Sequence, residues 1–149
     1  MTGRVNPSRV LITGASGGIG QALALHYAAP GQTLLLHGRD AGRLEVLAGK
    51  CRAQGAEVQT LPFDLAQRDA LPQWRLTLSA LPPLDLVIVN AGITSNIGTD
   101  GAGESWEAIE RTLDINQYAA MATVDAVLPA MRARGQGPVS YTHLTLPTN

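Results

Sequence analysis

The sequence predicts an α/β fold, a doubly wound parallel sheet of about four strands with helices on both faces. Three observations predict it. Short β-branched or leucine-rich runs alternate four times with segments whose apolar residues recur at helical spacing, and only parallel neighbours need such long crossovers. The most apolar of these runs are continuous rather than alternating, as in strands covered on both sides. Charged residues make up 15% of the chain, below the usual ~25%, which suits a sheet hidden from water.

Residues 9–13 (RVLIT) read as the first strand and run into a cluster of glycines, Gly14, Gly17, Gly18 and Gly20. Ile19, Leu23, Leu25, Tyr27 and Ala28 then mark a helix that Pro30-Gly31 stops. Residues 33–37 (TLLLH) read as the second strand, and Asp40 is placed to cap a helix carrying Leu44, Val46, Leu47 and Ala48 towards Gly55. A third strand at 57–61 (EVQTL) leads through Phe63-Asp64-Leu65 into a helix containing Trp74 and Leu78. Pro82-Pro83 breaks the chain before the fourth strand, 86–89 (LVIV). Residues 94–103 read as a loop. A long helix follows over 105–134, with Trp106, Ile109 and Leu113 on one face. Both Trp74 and Trp106 are expected in the core or at its edge. At 149 residues the chain has the size of one domain.

A net charge of -1 and a pI near 6.3 supply no basic footprint, which argues against nucleic-acid or anionic-membrane partners. No apolar run is long enough to span a bilayer and the opening MTGRVNPSRVLITG has no apolar signal region, so a soluble cytoplasmic protein is expected. Cys51 is the sole cysteine, which excludes an intrachain disulfide and a cysteine-based metal site; it reads as an inert, partly buried thiol. His26 and His37 lack acidic or thiol partners at ligand spacing and read as structural or exposed, so no metal is expected.

The octet Thr13-Gly14-Ala15-Ser16-Gly17-Gly18-Ile19-Gly20 lies between a strand and a helix. There, backbone amides and a helix N-terminus can meet a pyrophosphate, and glycines allow its close approach. The lysine that a P-loop requires is absent, which argues against a nucleoside triphosphatase.

The pattern T-G-x-x-x-G-x-G resembles the cofactor loop of the short-chain dehydrogenase/reductase family, whose nucleotide-binding part is a Rossmann fold. The octet also fits the loop of the family's larger, epimerase-like branch. Three further features resemble the shorter branch: Asn90-Ala91-Gly92 after the fourth strand, Asp64 after the third, and Asn116 within the long helix. The resemblance extends over about 130 residues. It implies that Gly14, Ser16, Gly18, Ile19 and Gly20 shape the phosphate site and that Asp64 and Leu65 meet the adenine. It places Asn90, Ala91 and Gly92 on the ribose side. Asn116 becomes the one catalytic residue of the chain, holding a helix distortion that orients a water in a proton relay.

The end of the second strand bears on which nicotinamide cofactor fits. An acidic residue there bonds the ribose 2′-hydroxyl of NAD, whereas an arginine accommodates the 2′-phosphate of NADP. This chain reads His37-Gly38-Arg39-Asp40, so NADP(H) is favoured over NAD(H), with Arg39 gripping the phosphate.

The resemblance further implies an oxidoreductase of a carbonyl/alcohol pair acting on a small molecule, homo-oligomeric when full-length. The family's catalytic serine and Tyr-x-x-x-Lys set is not matched: Ser140 and Tyr141 are adjacent, and Thr145 stands where the lysine would. Neither takes a catalytic role, and the chain reads as an inactive N-terminal fragment, its sheet truncated after about four strands. Residues 138–149 resemble the translation of a transposon-derived sequencing adapter, so the NAD(P)-binding domain is placed at 1–137 and the remainder as a non-native tail. The alternatives are a dinucleotide-binding sensor module without turnover and an epimerase-like member of the larger branch.

Overall fold

The computed structural model describes residues 7–94 and 103–141. Five parallel strands, β1 (Arg9–Ile12), β2 (Thr33–Gly38), β3 (Glu57–Pro62), β4 (Leu86–Val89) and β5 (Val139–Tyr141), lie in the order β3-β2-β1-β4-β5. The helices are α1 (Gly18–Tyr27), α2 (Ala41–Ala53), α3 (Leu71–Ser79), α4 (Trp106–Leu113) and α5 (Ala120–Arg134). A single 3-10 turn, Arg68–Ala70, precedes α3.

Successive residues of a strand point to opposite faces, and the core divides accordingly. Val10, Ile12, Leu34, Leu36, Leu86 and Ile88 pack with Ala24 of α1 and Leu44, Leu47 and Cys51 of α2. Leu11, Leu35, Val87 and Val89 pack on the other face with Trp74 and Leu78 of α3 and Val127 and Met131 of α5. Both faces are covered, as the continuous apolar strands imply. Trp74 joins α3 to α5 through its indole N–H, which donates to Thr123 Oγ1 at 2.9 Å, and that hydroxyl donates to the Ala119 carbonyl at 2.7 Å. Cys51 is fully buried, and burial pushes its thiol up, which leaves it unreactive.

The chain departs from the sequence-based expectation in three places. The sheet has a fifth strand where about four were expected: the backbone groups of β4 pair with β5 in the register Val87↔Val139, Ile88↔Ser140 and Val89↔Tyr141. The physical reason is the open edge itself, which a β-branched or aromatic segment satisfies wherever the chain delivers one. The long helix over 105–134 is not uniform. Ser105 caps it by accepting from the Ala108 amide at 3.2 Å, but a π-helical segment, Asp114–Ala119, separates α4 from α5. Trp106, expected in or near the core, is 67% exposed, because α4 has no buried residue. Of the loop expected over 94–103, only Thr94 and Gly103 are among the described residues. No described helix is long and apolar enough to cross a membrane.

Candidate functional site

The direction of winding reverses at β1, which pairs with β2 on one side and β4 on the other. In open α/β sheets such a reversal leaves a crevice outside the carboxyl ends of the strands. A cleft of 340 Å³ lies there.

Its walls are tied together by side chains of the three central strands. Thr13, fully buried after β1, accepts at Oγ1 from the amides of Asn90 and Ala91, both at 3.0 Å. Asn90 returns the link by donating from Nδ2 to the Gly14 carbonyl at 3.1 Å. Gly14, with φ +64°, turns the chain back over β2, where its amide donates to His37 Nδ1 at 3.2 Å and the Ala15 amide donates to the His37 carbonyl at 2.8 Å. The glycine loop is thus bonded to both neighbouring strand ends. We predict that Thr13→Val, which keeps the shape but removes the acceptor, destabilises the intact protein by about 3 kcal/mol, because two amides lose their partner. A thermal melt should drop by roughly 6–12 °C, with Thr13→Ser close to wild type; an unchanged Thr13→Val melt would refute the double acceptor.

Of the residues singled out from sequence, Gly14, Ser16, Gly18, Ile19, Arg39, Asp64, Leu65, Asn90, Ala91 and Gly92 all line this cleft. Gly20 does not. It is buried beneath the loop, where a Cβ would overlap the Gly14 carbonyl oxygen and lie 2.8 Å from Ala15 Cα. Asn116 does not line the cleft either. It sits in the π-helical segment, and both ends of its amide are spent on one residue: Oδ1 accepts from the Ile93 amide at 2.9 Å and Nδ2 donates to the Ile93 carbonyl at 2.8 Å. Those bonds draw the chain after Asn90-Ala91-Gly92 onto the widened turn and bring Ile93 and Ile115 into the cleft wall. Asp64 accepts at Oδ1 from the Ala66 amide at 3.0 Å, a local turn that leaves Oδ2 without a protein partner among the described residues.

The end of β2 is sterically tight at Gly38. A Cβ there would lie 2.9 Å from Ser16 Oγ and 3.2 Å from Leu44 Cδ2. The next residue, Arg39, is exposed at the cleft mouth, and Asp40 caps α2 by accepting from the Arg43 amide at 3.0 Å. Arg43 lines the cleft as well, its guanidinium donating to the Ser16 carbonyl at 3.2 Å. Sequence reasoning missed Arg43, which stands on the first turn of α2 just beyond the Asp40 cap. It also left His37 open between structural and exposed. His37 is 2% exposed and lines the cleft; burial pushes its imidazole from 6.5 down to about 4, against the raising influence of the Phe63 carbonyl and Asp64. Ser140 and Tyr141 lie on β5, and burial pushes the Tyr141 phenol up, the opposite of what a proton donor needs. Among the described residues, no three His, Cys, Asp or Glu side chains gather to hold a metal ion.

This is a Rossmann-type α/β protein with a glycine loop at its switch point. The chain belongs to the short chain dehydrogenase family, whose model matches residues 8–141. It is 36% identical over 128 residues to an "uncharacterized oxidoreductase" of Myxococcus xanthus, covering 85% of this chain and 50% of that protein. Among solved structures it resembles a short-chain dehydrogenase from Sphingobium yanoikuyae in complex with NADPH, with a TM-score of 0.80 and 34% identity. That match covers 89% of this chain and 52% of the other. A ketone-specific alcohol dehydrogenase from Comamonas testosteroni matches with a TM-score of 0.81 and 28% identity, over 91% and 54% of the two chains. The chain spans about half the length of the curated relatives it matches.

Proposed function

We propose that the chain is the nucleotide-binding portion of an NADP(H)-dependent oxidoreductase acting on a carbonyl/alcohol pair. The observation that carries the reading is one cleft that combines an uncapped helix N-terminus with two arginines. No side chain caps α1, so the first-turn amides at Gly18 and Ile19, which have no intrahelical acceptor, are available to an anion. Arg39 and Arg43 stand at the other side, at the end of β2, where a 2′-phosphate falls in folds of this topology. Gly38 supports the same choice, because it brings no carboxylate to bond a 2′-hydroxyl or repel a 2′-phosphate. Structural neighbours in complex with NADPH or NADP agree with it.

A bound NADPH supplies a hydride for carbonyl reduction. Gly14, Ser16, Gly18 and Ile19 hold the pyrophosphate, with Gly20 beneath them as packing. Arg39, assisted by Arg43, selects the 2′-phosphate; Asp64 and Leu65 take the adenine side; Asn90, Ala91 and Gly92 take the ribose side. Asn116 serves the proton relay as a positioning residue, since its amide is committed to Ile93. No residue of this chain is assigned as the proton donor, since Tyr141 has Thr145 rather than a lysine four residues on. Trp106, Leu113, Tyr118 and Met121 are exposed on the α4–α5 helix, which supports assembly of the intact protein into a homo-oligomer.

The test is titration of the intact protein with NADPH and NADH, followed by turnover of small ketones and aldehydes. Micromolar uptake of NADPH with reduction of a carbonyl is expected. Uptake without turnover would favour the sensor reading, and no uptake would overturn the cofactor assignment.

A further inference from the structure

His37 is the one buried titratable group among the described residues that line the cleft. It takes two consecutive amides of the glycine loop: the Gly14 N–H on its ring at Nδ1 (3.2 Å) and the Ala15 N–H on its backbone carbonyl (2.8 Å). On its far side, Nε2 lies 3.1 Å from the Phe63 carbonyl at the end of β3. The partners decide the proton. A carbonyl only accepts, so Nε2 carries hydrogen; a backbone amide only donates, so Nδ1 is bare. The ring also packs against Trp74, centroid to centroid 4.7 Å and tilted by 53°, and Trp74 stacks on Phe63 at 5.2 Å.

The neutral ring therefore bridges the ends of β1, β2 and β3. A histidine whose only work was packing would not need an acceptor aimed at the first amide of the glycine loop. That amide belongs to Gly14, the loop's left-handed residue, so the bond controls where the chain turns towards α1.

We propose that His37 is a positioning residue for the phosphate-binding loop, with its unprotonated Nδ1 holding the Gly14 amide so that the following amides converge on the dinucleotide. The proposal rests on the reading of the cleft as a dinucleotide site.

The polar groups facing the ring favour the imidazolium, and burial opposes them. The Phe63 carbonyl and Asp64, both after β3, pull towards the imidazolium; Arg39 and Arg43 are the other charged groups lining the cleft. From α3 the neighbour is the uncharged Trp74, and β1 presents only the uncharged Thr13-Gly14 turn. Burial outweighs Asp64 and keeps the ring neutral down to about pH 4. The unfolded chain takes a proton near pH 6.5 and the folded one near 4. The stability tied to a neutral His37 is therefore whole above 6.5 and is lost as the pH falls through that window.

Two isosteric variants separate the ring's two bonds. In His37→Asn, Oδ1 stands where Nδ1 was and can accept from Gly14; in His37→Gln, the amide nitrogen stands near Nε2 and can only replace the bond to Phe63. NADPH affinity, measured by direct titration of the intact protein, is expected to stay within about threefold of wild type for His37→Asn and to fall roughly tenfold for His37→Gln. Between pH 7 and 5 the wild-type melting temperature should fall several degrees further than that of His37→Asn, which has nothing to titrate there. If wild type binds NADPH but the two variants bind equally well or equally badly, the proposal is wrong and the cofactor reading stands. If wild type takes up no NADPH, the cofactor reading fails, and the pH dependence of the melts alone decides whether the neutral ring holds the loop.

Discussion

Replacing Gly20 by alanine is expected to lower the melting temperature of the intact protein by about 10 °C, while the same change at Gly18 leaves it unchanged or slightly raised. The two glycines are two residues apart on α1, yet their surroundings differ. At Gly20 the new methyl meets backbone, the Gly14 carbonyl and Ala15 Cα, together with Asn90 Nδ2 at 2.8 Å. Backbone in a loop bonded to two strand ends cannot yield cheaply, so overpacking of about 3 kcal/mol is expected. At Gly18 nothing lies within 4 Å of the added carbon, and alanine favours the helix by up to ~1 kcal/mol over glycine. Gly18 lines the cleft, however, so the methyl occupies space that the pyrophosphate needs. NADPH affinity should therefore fall at least about tenfold in a protein that melts normally. Melts and titrations on both variants check this. A Gly18→Ala protein that binds NADPH like wild type would place the phosphates elsewhere.

Arg39→Ala is expected to weaken NADPH binding by about 100-fold and to change NADH binding by less than about twofold. The first figure follows from losing a charge-assisted, forked contact to a phosphate, about 1.5–3 kcal/mol. The second follows because NADH has no group for the guanidinium to grip. Arg43→Ala should cost less, since its guanidinium also serves the Ser16 carbonyl, and the double variant should bind the two cofactors alike. Parallel titrations decide it. Equal losses for both cofactors in Arg39→Ala would mean that the arginine contributes only general charge, and the preference for NADP(H) would fall.

Most of the site was legible in the sequence because its parts are local. The glycine octet, Asp64 and Asn90-Ala91-Gly92 each follow directly on a strand, and the ends of parallel strands meet at one edge by topology alone. Ten of the predicted residues consequently line a single cleft. Where Gly20 sits was not legible for a local reason: spacing marks it as a motif glycine but does not tell which of its faces meets ligand and which meets backbone. Arg43 was passed over because a basic residue on the first turn of a helix looks the same whether it faces solvent or a cleft. The helix distortion that the resemblance associates with Asn116 is present as the π-helical segment Asp114–Ala119. What holds it, the paired bonds to Ile93, joins positions 23 residues apart that no periodicity connects.

The alternation of strands and helices, the two covered faces and the glycine turn were determined by the sequence itself, because hydrophobic periodicity and the steric demands of glycine act over a few residues. Tertiary structure alone decided that β5 closes the edge beside β4, that Trp106 stays in solvent, and that His37 is buried under the loop with its Nδ1 bare. Each of those depends on which group arrives from a distant part of the chain, and for His37 it is the amide of Gly14 and the carbonyl of Phe63 that set where the proton resides.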